Sequence, residues 1–342
     1  MVSMIRNAAS GPSVRLRFII ITFLSACTSL PPAPPSQCEQ IPGIPGPEDF
    51  VVDRDVTGDR LIVSSHERRS WRPGGIYSLS LSSRNEIVEM RRENEPEGFE
   101  LRPHGMDMKT INGQRRLYVI THGAEQNGSD HSVVVYTVTG NVLRFEQKIS
   151  DPLLASPNDL ALLDDGSFYT SIDSVSRGSM MDLLFSLKSG RIVHCSSRST
   201  CTIAYDKIAF PNGVIVQNSY LYATASLENR LLRFRIREDR TLESPETLAE
   251  IPVGDNLMQT GGGLLTTSHP SGWSFLRHAQ NTENRAPSVV YQYNNGALRA
   301  LLADDGRRIS AASVAYLHDD ILYIGQVFDP FLLRCRFHSG SL

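Results

Sequence analysis

The chain has 342 residues, of which 40% are hydrophobic and 21% are charged, and its formal net charge is −3. This composition is sufficient for a sizeable folded core and excludes an intrinsically disordered protein. Because no long block of Lys and Arg is present, the sequence also lacks the electrostatic signature of a nucleic-acid or anionic-membrane partner.

The N-terminus has the features of an export signal. Arg6, Arg15 and Arg17 precede a short apolar run over residues 18–26. A basic head followed by a short apolar core and small residues is typical of a secretory signal peptide, and the run is too short to span a bilayer comfortably. We therefore predict that residues 1–26 are a signal peptide and that the protein is exported.

Cys27 directly follows Leu-Ser-Ala, an order that resembles the lipobox of bacterial lipoproteins. With a lipid on Cys27, the Pro/Ser-rich residues 27–37 would form a tether. This predicts a protein of the cell envelope, an outer-membrane or surface lipoprotein that contacts the membrane only through its lipid. The alternative is an ordinary signal peptide with an incidental cysteine.

The chain contains five cysteines, and disulfide pairing is expected in an exported protein. If Cys27 carries lipid, four cysteines remain. Cys195 and Cys201 flank a short polar loop and could close it locally. Cys38 and Cys335 lie at opposite ends of the folded part, so a bridge between them requires the two ends to meet in space.

A repeated unit fills the chain from residue 46 onward. Short runs rich in Val, Ile, Tyr, Phe and Thr alternate with Gly, Asn and Asp turns, and no long stretch has apolar residues at helical spacing. Copies begin near residues 49, 105, 159, 212, 256 and 313. Repeats of roughly 45–57 residues built from several short strands predict an all-β, six-bladed β-propeller, with residues 38–342 as a single domain.

Polar residues occur at the same phase of five of the six repeats, at the start of the first strand. In a propeller these positions meet at one end of the central axis. The residues are Glu48, Asp49, His104, Asn158, Asp159, Asn212, Asp255 and Asn256. Closely packed carboxylates repel each other unless a cation neutralises them, and oxygen ligands favour Ca²⁺. We predict one or two Ca²⁺ ions on the axis; the alternative for each residue alone is a turn or a structural role.

Several short motifs, in this order, resemble those of the paraoxonase/arylesterase family of six-bladed calcium propellers, relatives of the gluconolactonases. They are Gly-Pro-Glu-Asp (46–49), Arg-Pro-His-Gly-Met (102–106), the segments 118–122 and 153–159, Phe-Pro-Asn-Gly (210–213), Asp-Asn (255–256), Ser-His-Pro (268–270) and Ile-Gly-Gln-Val-Phe (324–328). The resemblance covers about residues 38–337.

The resemblance implies two calcium ions with separate ligands. The residues implied for a catalytic Ca²⁺ are Glu48, Asn158, Asn212, Asp255 and Asn256. Those implied for a structural Ca²⁺ are Asp49, Asp159 and the backbone carbonyl of Met106. The resemblance also implies a disulfide between Cys38 and Cys335.

The resemblance further implies catalysis by a histidine pair. His104 is expected to be the general base that activates a water, because an imidazole titrates near neutrality. His122 would orient His104 or relay its protons, and His269 would line the substrate pocket. The polar segment 123–131, which follows His122, has no assigned counterpart in the family.

We therefore predict a calcium-dependent hydrolase of lactones and of aryl esters, in which the ion polarises the substrate carbonyl. The sequence contains no G-x-S-x-G motif, no H-E-x-x-H motif and no zinc-type Cys/His spacing. The expected partner is a small-molecule substrate and not a nucleic acid. The alternatives are a gluconolactonase-like sugar lactonase and a non-catalytic, surface-tethered binding propeller, although a binding scaffold needs no histidine pair.

Overall fold

A computed structural model describes residues 29–55, 58–82, 85–126, 128, 130–174, 185–261 and 263–337. The predicted signal peptide and the predicted lipid site Cys27 lie outside these residues. Within the described part of the chain, no helix is long and apolar enough to cross a membrane.

The described residues form six sheets of four or five strands, which we number as blades 1 to 6. From the inner to the outer edge, blade 1 contains β2 (Pro47–Asp55), β3 (Gly58–Ser65), β4 (Gly75–Ser80) and β5 (Ile87–Glu89). Blade 2 contains β7 (Pro103–Ile111), β8 (Gln114–His122), β9 (His131–Thr139), β10 (Val142–Ile149) and β6 (Arg91–Glu93). Blade 3 contains β11 (Pro157–Leu162), β12 (Phe168–Ile172), β13 (Gly190–Cys195) and β14 (Cys201–Ile208).

The other three blades follow the same inner-to-outer order. Blade 4 contains β15 (Pro211–Gln217), β16 (Tyr220–Ala225), β17 (Arg230–Arg235) and β18 (Glu246–Glu250). Blade 5 contains β19 (Gly254–Thr260), β20 (Gly263–Ser268), β21 (Ser288–Asn294) and β22 (Ala297–Asp304). Blade 6 contains β23 (Ala312–His318), β24 (Ile321–Gln326), β25 (Phe331–Phe337) and the N-terminal strand β1 (Ser36–Pro42).

The inner strands pack side by side in a closed ring, from β2 through β7, β11, β15, β19 and β23 back to β2. The predicted six-bladed β-propeller is therefore confirmed. The six predicted repeat starts fall within two residues of the first residues of these strands, which are 47, 103, 157, 211, 254 and 312.

The N-terminal and C-terminal ends of the fold meet in blade 6. Strand β1 pairs antiparallel with β25, and Cys38 lies opposite Cys335 in this register, where the two form a disulfide. Because β1 begins at Ser36, the last two residues of the predicted tether belong to a strand, and they pair with Arg336 and Phe337. A second disulfide joins Cys195 to Cys201.

The core lies between the blades, which explains the unbroken apolar runs of their central strands. In β9, Val133, Val134, Val135 and Tyr136 are all fully buried. Val133 and Val135 pack with residues of blade 3, and Val134 and Tyr136 pack with residues of blade 1. Each such side chain contributes about 1.5–3 kcal/mol through burial, so neighbouring blades hold each other in the ring.

Two-residue hairpins join some of the strands, and one short helix interrupts blade 5. Asn112-Gly113 has positive φ angles of 51° and 76°, as a type I′ turn requires. The helix α1 (Gly272–Gln280) lies between β20 and β21 and begins where the side chain of Ser271 accepts a hydrogen bond from the Ser274 N–H. This helix was not predicted, because nine residues are too few to show a clear helical period in the sequence.

Candidate metal centre and histidine chain

Every inner strand enters the sheet in the same way. Its first residue is Pro47, Pro103, Pro157, Pro211, Gly254 or Ala312, and a β-bulge or register shift follows at once in all six blades. Proline suits the first position of a strand because it has no N–H to donate to the ladder. Bulges redirect side chains and are common next to active sites. All the predicted ligands lie in or directly beside these bulges.

Two glycines allow neighbouring inner strands to approach each other at this end. A Cβ atom on Gly105 would lie 2.5 Å from the Asn158 carbonyl oxygen, and one on Gly213 would lie 2.5 Å from the Leu257 nitrogen and 2.6 Å from the Asn256 Cα. Real Cβ atoms essentially never approach backbone atoms so closely. The glycines of the Pro-His-Gly and Pro-Asn-Gly motifs are therefore required for the packing that brings the polar residues together.

Three asparagines at this end of the ring, one each from blades 3, 4 and 5, have buried side-chain amide oxygens. The Oδ1 atoms of Asn158, Asn212 and Asn256 have no hydrogen-bond partner among the described residues. The other amide atom of Asn256, Nδ2, donates to the Glu48 carbonyl at 3.1 Å, which fixes the orientation of that side chain. A buried acceptor without a partner costs about 1–3 kcal/mol, and a cation held by these oxygens would remove that cost.

Two buried carboxylates accompany these amides. Glu48 is 3% exposed and Asp255 is 5% exposed. Burial opposes ionisation of Glu48, but the charges of His104 and Arg68 and the hydrogen bonds from His104 and Asn256 together outweigh it, so its pKa lies below the ordinary value. Burial raises the pKa of Asp255, and the hydrogen bond and charge of His269 offset only part of this effect.

His269 lies next to Asp255. Its Nε2 lies 2.9 Å from Asp255 Oδ2, and its ring packs against Phe275 of α1 at a centroid distance of 4.5 Å. His269 was predicted to line a substrate pocket; in the structure it contacts and orients Asp255, a predicted metal ligand.

The chemistry of the cluster fits a hard cation. Its donors are three amide oxygens and two carboxylates, and such an all-oxygen set suits Ca²⁺ and does not suit zinc. Among the described residues, no three His, Cys, Asp or Glu side chains form a group that could hold a metal. A cation at this position therefore depends on the orphaned asparagine oxygens.

Asp49 and Asp159 form a second acidic pair, which lines a central cavity of about 500 Å³. Asp49 Oδ2 accepts a hydrogen bond from the Met106 N–H at 2.8 Å, and Asp159 Oδ2 accepts one from the Val214 N–H at 2.8 Å. Each carboxylate thus links its own inner strand to that of the next blade. The contact of Met106 uses its N–H, whereas the sequence analysis assigned its carbonyl to an ion.

Both of these carboxyl groups have raised pKa values. Burial is the largest cause for each, and the charges of Asp159 and Glu48 raise the pKa of Asp49 further. Two buried acids that repel each other are stabilised when a cation lies beside them.

A chain of three histidines leads away from Glu48. The Nε2 of His104 lies 3.1 Å from Glu48 Oε1, and the Nδ1 of His104 lies 2.7 Å from His122 Nε2. The Nδ1 of His122 lies 3.1 Å from His131 Nδ1. All three rings are buried. The structure therefore brings together the predicted pair and adds His131, the last residue of the segment that had no assigned counterpart.

The loop between β3 and β4 covers the histidines and the acids. The Trp71 ring stacks on His122 at a centroid distance of 5.9 Å, and its Nε1 donates to the Gly123 carbonyl at 3.1 Å. From the same loop, Arg68 Nη2 lies 3.6 Å from Glu48 Oε2. Arg68 was not predicted because it lies in a loop that carries no strand pattern. His131 was not predicted because it begins β9 directly after a polar segment that had no assigned counterpart.

Comparisons with known proteins agree with this architecture. A gluconolactonase from Xanthomonas campestris has a TM-score of 0.56 at 12% identity, with 91% of this chain and 99% of that chain covered. Regucalcin from Agrobacterium tumefaciens, described as a calcium-binding protein, has a TM-score of 0.54 at 11% identity, with 87% and 94% covered. A PQQ-bound aldose sugar dehydrogenase from Streptomyces coelicolor has a TM-score of 0.53 at 12% identity, with 90% and 100% covered. At these identities the likeness shows the fold alone.

The sequence itself gives a narrower result. A comparison with curated proteins finds no match. A family profile described as Arylesterase matches residues 65–336, which include His104, His122 and the three asparagines but not Glu48 and Asp49. The profile spans well over half of the chain and agrees with the resemblance found in the motifs, so the chain belongs to the arylesterase family.

Proposed function

We propose that the protein is a calcium-dependent hydrolase of lactones that also cleaves aryl esters. Membership of the arylesterase family supports a lactonase- or esterase-type hydrolase. The observation that carries the proposal is the presence of three orphaned asparagine oxygens at the same end of the ring as Glu48, whose carboxylate also contacts His104. Glu48 therefore belongs to the proposed cation site and also contacts the basic nitrogen of His104.

The residues proposed to hold the catalytic ion are Glu48, Asn158, Asn212, Asp255 and Asn256. Their side chains are all buried, and His269 holds the Asp255 carboxylate through its Nε2. When bound there, Ca²⁺ would supply a positive charge that polarises a substrate carbonyl and stabilises the oxyanion formed on attack. The two carboxylates balance that charge, and the three neutral amides complete the oxygen set.

The hydrogen bonds along the three histidines can be donated toward Glu48 or away from it. With Glu48 as the acceptor, His104 Nε2 donates to Glu48, His122 Nε2 donates to His104 Nδ1, and His131 Nδ1 donates to His122 Nδ1. All three rings are then neutral and every contact has one proton. If the Glu48 oxygens are engaged elsewhere, the direction reverses, and His104 Nε2 presents a lone pair toward the centre.

The reversed direction makes His104 a general base. Its Nε2 takes a proton from the attacking water, while the proton on its Nδ1 is shared with His122 Nε2 at 2.7 Å. His131 accepts the next hydrogen bond and so delocalises the charge away from the ion site. In this scheme His104 is the catalytic residue, and His122 and His131 are positioning residues.

A second, structural ion is proposed between Asp49 and Asp159, with the Met106 carbonyl as a further ligand. The raised pKa values of the two acids and their place on the central cavity support this assignment. Its effect would be on stability, because both carboxylates also hold backbone N–H groups of neighbouring blades.

The test of the proposed activity is hydrolysis of a panel of lactones and aryl esters with and without chelator. We expect His104→Gln to lower kcat by about 10²-fold or more, and we expect chelation and Asn256→Ala to lower turnover. His318→Gln is the matched control, since His318 lies in β23 with its side chain partly exposed and close to Asp319. Hydrolysis that is unaffected by His104→Gln, by Asn256→Ala and by chelation contradicts the mechanism. A complete lack of hydrolysis favours the binding propeller.

Export is a further part of the proposal. The two disulfides are consistent with an extracellular location. We propose that residues 1–26 direct export and that Cys27 is lipidated, as the sequence predicts. Cys27→Ser should then move the protein from the membrane fraction to the soluble exported fraction, and an unchanged distribution would contradict lipidation.

A further inference from the structure

Arg68 brings a positive charge to the edge of the proposed ion site. Its side chain is 12% exposed, and its Nη2 lies 3.6 Å from Glu48 Oε2, which is an ion-pair distance but too long for a hydrogen bond. The charge of Arg68 acts on both proposed acidic ligands, Glu48 and Asp255. The guanidinium therefore lies beside the acidic ligands of the proposed ion site.

Two of the three guanidinium nitrogens of Arg68 make no hydrogen bond within the described part of the protein. Its Nε and Nη2 are buried and have no hydrogen-bond partner there. The neighbouring Arg69 differs, because its terminal nitrogens donate to Asp329 at 2.9 Å and to the His278 carbonyl at 3.0 Å. The terminal nitrogens of Arg69 thus serve the fold, whereas Nε and Nη2 of Arg68, two adjacent donors of its planar guanidinium, make no hydrogen bond there.

The charges of the site point to the partner that those donors would take. Glu48 and Asp255 contribute two negative charges, which a bound divalent cation would balance. The positive charge of Arg68 would then remain without a counter-ion in a largely buried place, and a buried charge is costly unless it is paired. Adjacent guanidinium donors match the two oxygens of a carboxylate.

We propose that Arg68 determines substrate specificity by binding a carboxylate on the lactone or ester, so that the substrates of this site are anionic. This inference rests on the proposed function. The substrate carboxylate would pair with Arg68 while the scissile carbonyl faces the ion and His104. A neutral lactone would leave the guanidinium unpaired and would be a poorer substrate.

A matched pair of substrates tests this proposal. We would use 5-oxotetrahydrofuran-2-carboxylate, a γ-lactone that bears a carboxylate, and its carboxamide, which has a similar shape and no charge. We expect the wild type to prefer the carboxylate in kcat/KM by about tenfold to hundredfold, the range of a charge-assisted hydrogen-bonded pair. Arg68→Gln should abolish the preference through a loss on the carboxylate alone, and Arg68→Lys should retain part of it.

Arg72→Gln is the matched control, because Arg72 is an exposed arginine of the same loop. It should keep the wild-type preference. Equal activity of the wild type on the two lactones overturns the proposal and leaves the hydrolase function standing. An equal loss on both lactones in Arg68→Gln also overturns it, because Arg68 would then act only as a counter-charge to Glu48.

A binding measurement separates failure of this proposal from failure of the proposed function. Calorimetry of the full chain with calcium would compare the ring-opened products of the two lactones, which differ in the same carboxylate. Tighter binding of the more anionic product, lost in Arg68→Gln and in chelator, supports the proposal even if neither lactone is hydrolysed. Equal binding of both products by the wild type contradicts it.

Discussion

At the scale of single residues, the histidine chain shows how one acidic side chain can set the protonation of three rings. When Glu48 accepts a hydrogen bond from His104, this contact determines which nitrogen of each following ring carries the proton. The direction of hydrogen-bond donation along the three histidines is therefore coupled to whether Glu48 is free to accept. His131 lies two rings away from the acid and still belongs to the same hydrogen-bonded set.

His131→Gln tests whether this third histidine participates. We expect kcat to fall by about tenfold, with little change in KM, because the protonated His104 loses part of its stabilisation while substrate binding is unaffected. The ¹⁵N shifts of the His122 ring should also change, since they report which nitrogen carries the proton. A variant with wild-type kcat and unchanged His122 shifts would show that His131 is only structural.

Arg68 and His131 also show what local sequence patterns cannot provide. The predicted ligands were accessible from the sequence because they recur at one phase of a repeat. Arg68 reaches the site from the β3–β4 loop, and loops have no period that predicts their position. His131 reaches it as the first residue of β9, a position that is not repeated in the other blades' predicted ligand sets. The contact of His269 with Asp255 likewise depends on how β19 and β20 pair.

At the scale of elements, the bulged start of each inner strand combines two tasks. Proline at positions 47, 103, 157 and 211 marks the strand entry, and the residues that follow present polar side chains to the axis. Because proline and the apolar alternation are local signals, the sequence predicted the strand starts closely. It did not predict the bulges, since a register shift depends on the partner strand.

Gly213→Ala tests the close approach at one of these bulges. The added methyl group would meet the backbone of Asn256 and Leu257 at about 2.5 Å and should cost about 1–3 kcal/mol of unfolding free energy. It should also weaken calcium binding, because Asn256 must move. Gly272→Ala is the control, since a Cβ there has a nearest neighbour at 3.9 Å. Equal stability of the two variants in denaturant unfolding would contradict this packing argument.

Asp107 provides a test of pH dependence at the junction of β7 and β11. Its Oδ2 accepts a hydrogen bond from the Leu162 N–H at 2.8 Å. Burial raises its pKa to about 6, and the N–H groups of Leu162 and Met108 offset only part of this effect. In this range the folded state holds more protons than the unfolded state, so stability decreases as the pH rises from about 4 to about 6.

Asp107→Asn should remove this part of the pH dependence, which amounts to at most about 3 kcal/mol. The measurement is the unfolding free energy of both proteins at several pH values between 4 and 7, always in chelator. We expect the unfolding free energy of the wild type to fall relative to that of Asp107→Asn as the pH rises. A difference that is constant over this range would show that Asp107 does not titrate there.

At the scale of the whole molecule, the ring is closed by contact between its two ends. Strand β1 completes blade 6, and the disulfide that joins it to β25 links Cys38 and Cys335, which are 297 residues apart in sequence. The number of repeats predicted the propeller, and the resemblance to the family predicted this closure. The sequence left the pairing of Cys195 with Cys201 open. In the structure this disulfide closes a short loop between cysteines that are 6 residues apart.

The two disulfides should differ in their effects on stability. In the loop-entropy model, removal of the long-range bridge costs at most about 5–6 kcal/mol, and removal of the short one about 2 kcal/mol. Cys335→Ser with Cys38→Ser should therefore lower the unfolding free energy more than Cys195→Ser with Cys201→Ser. Denaturant unfolding of both double variants measures this, and the opposite order would show that the strand β1 closes the ring without its disulfide.

Calorimetric titration of Ca²⁺ into the chelator-treated full chain is the most direct test of the cation site on the axis. The account predicts that the wild type binds two ions and that Asn158→Ala loses the one held by the orphaned amide oxygens. Gln259→Ala, an exposed amide in β19, should bind both. Absence of binding by the wild type, or equal binding by the wild type and Asn158→Ala, would contradict the account.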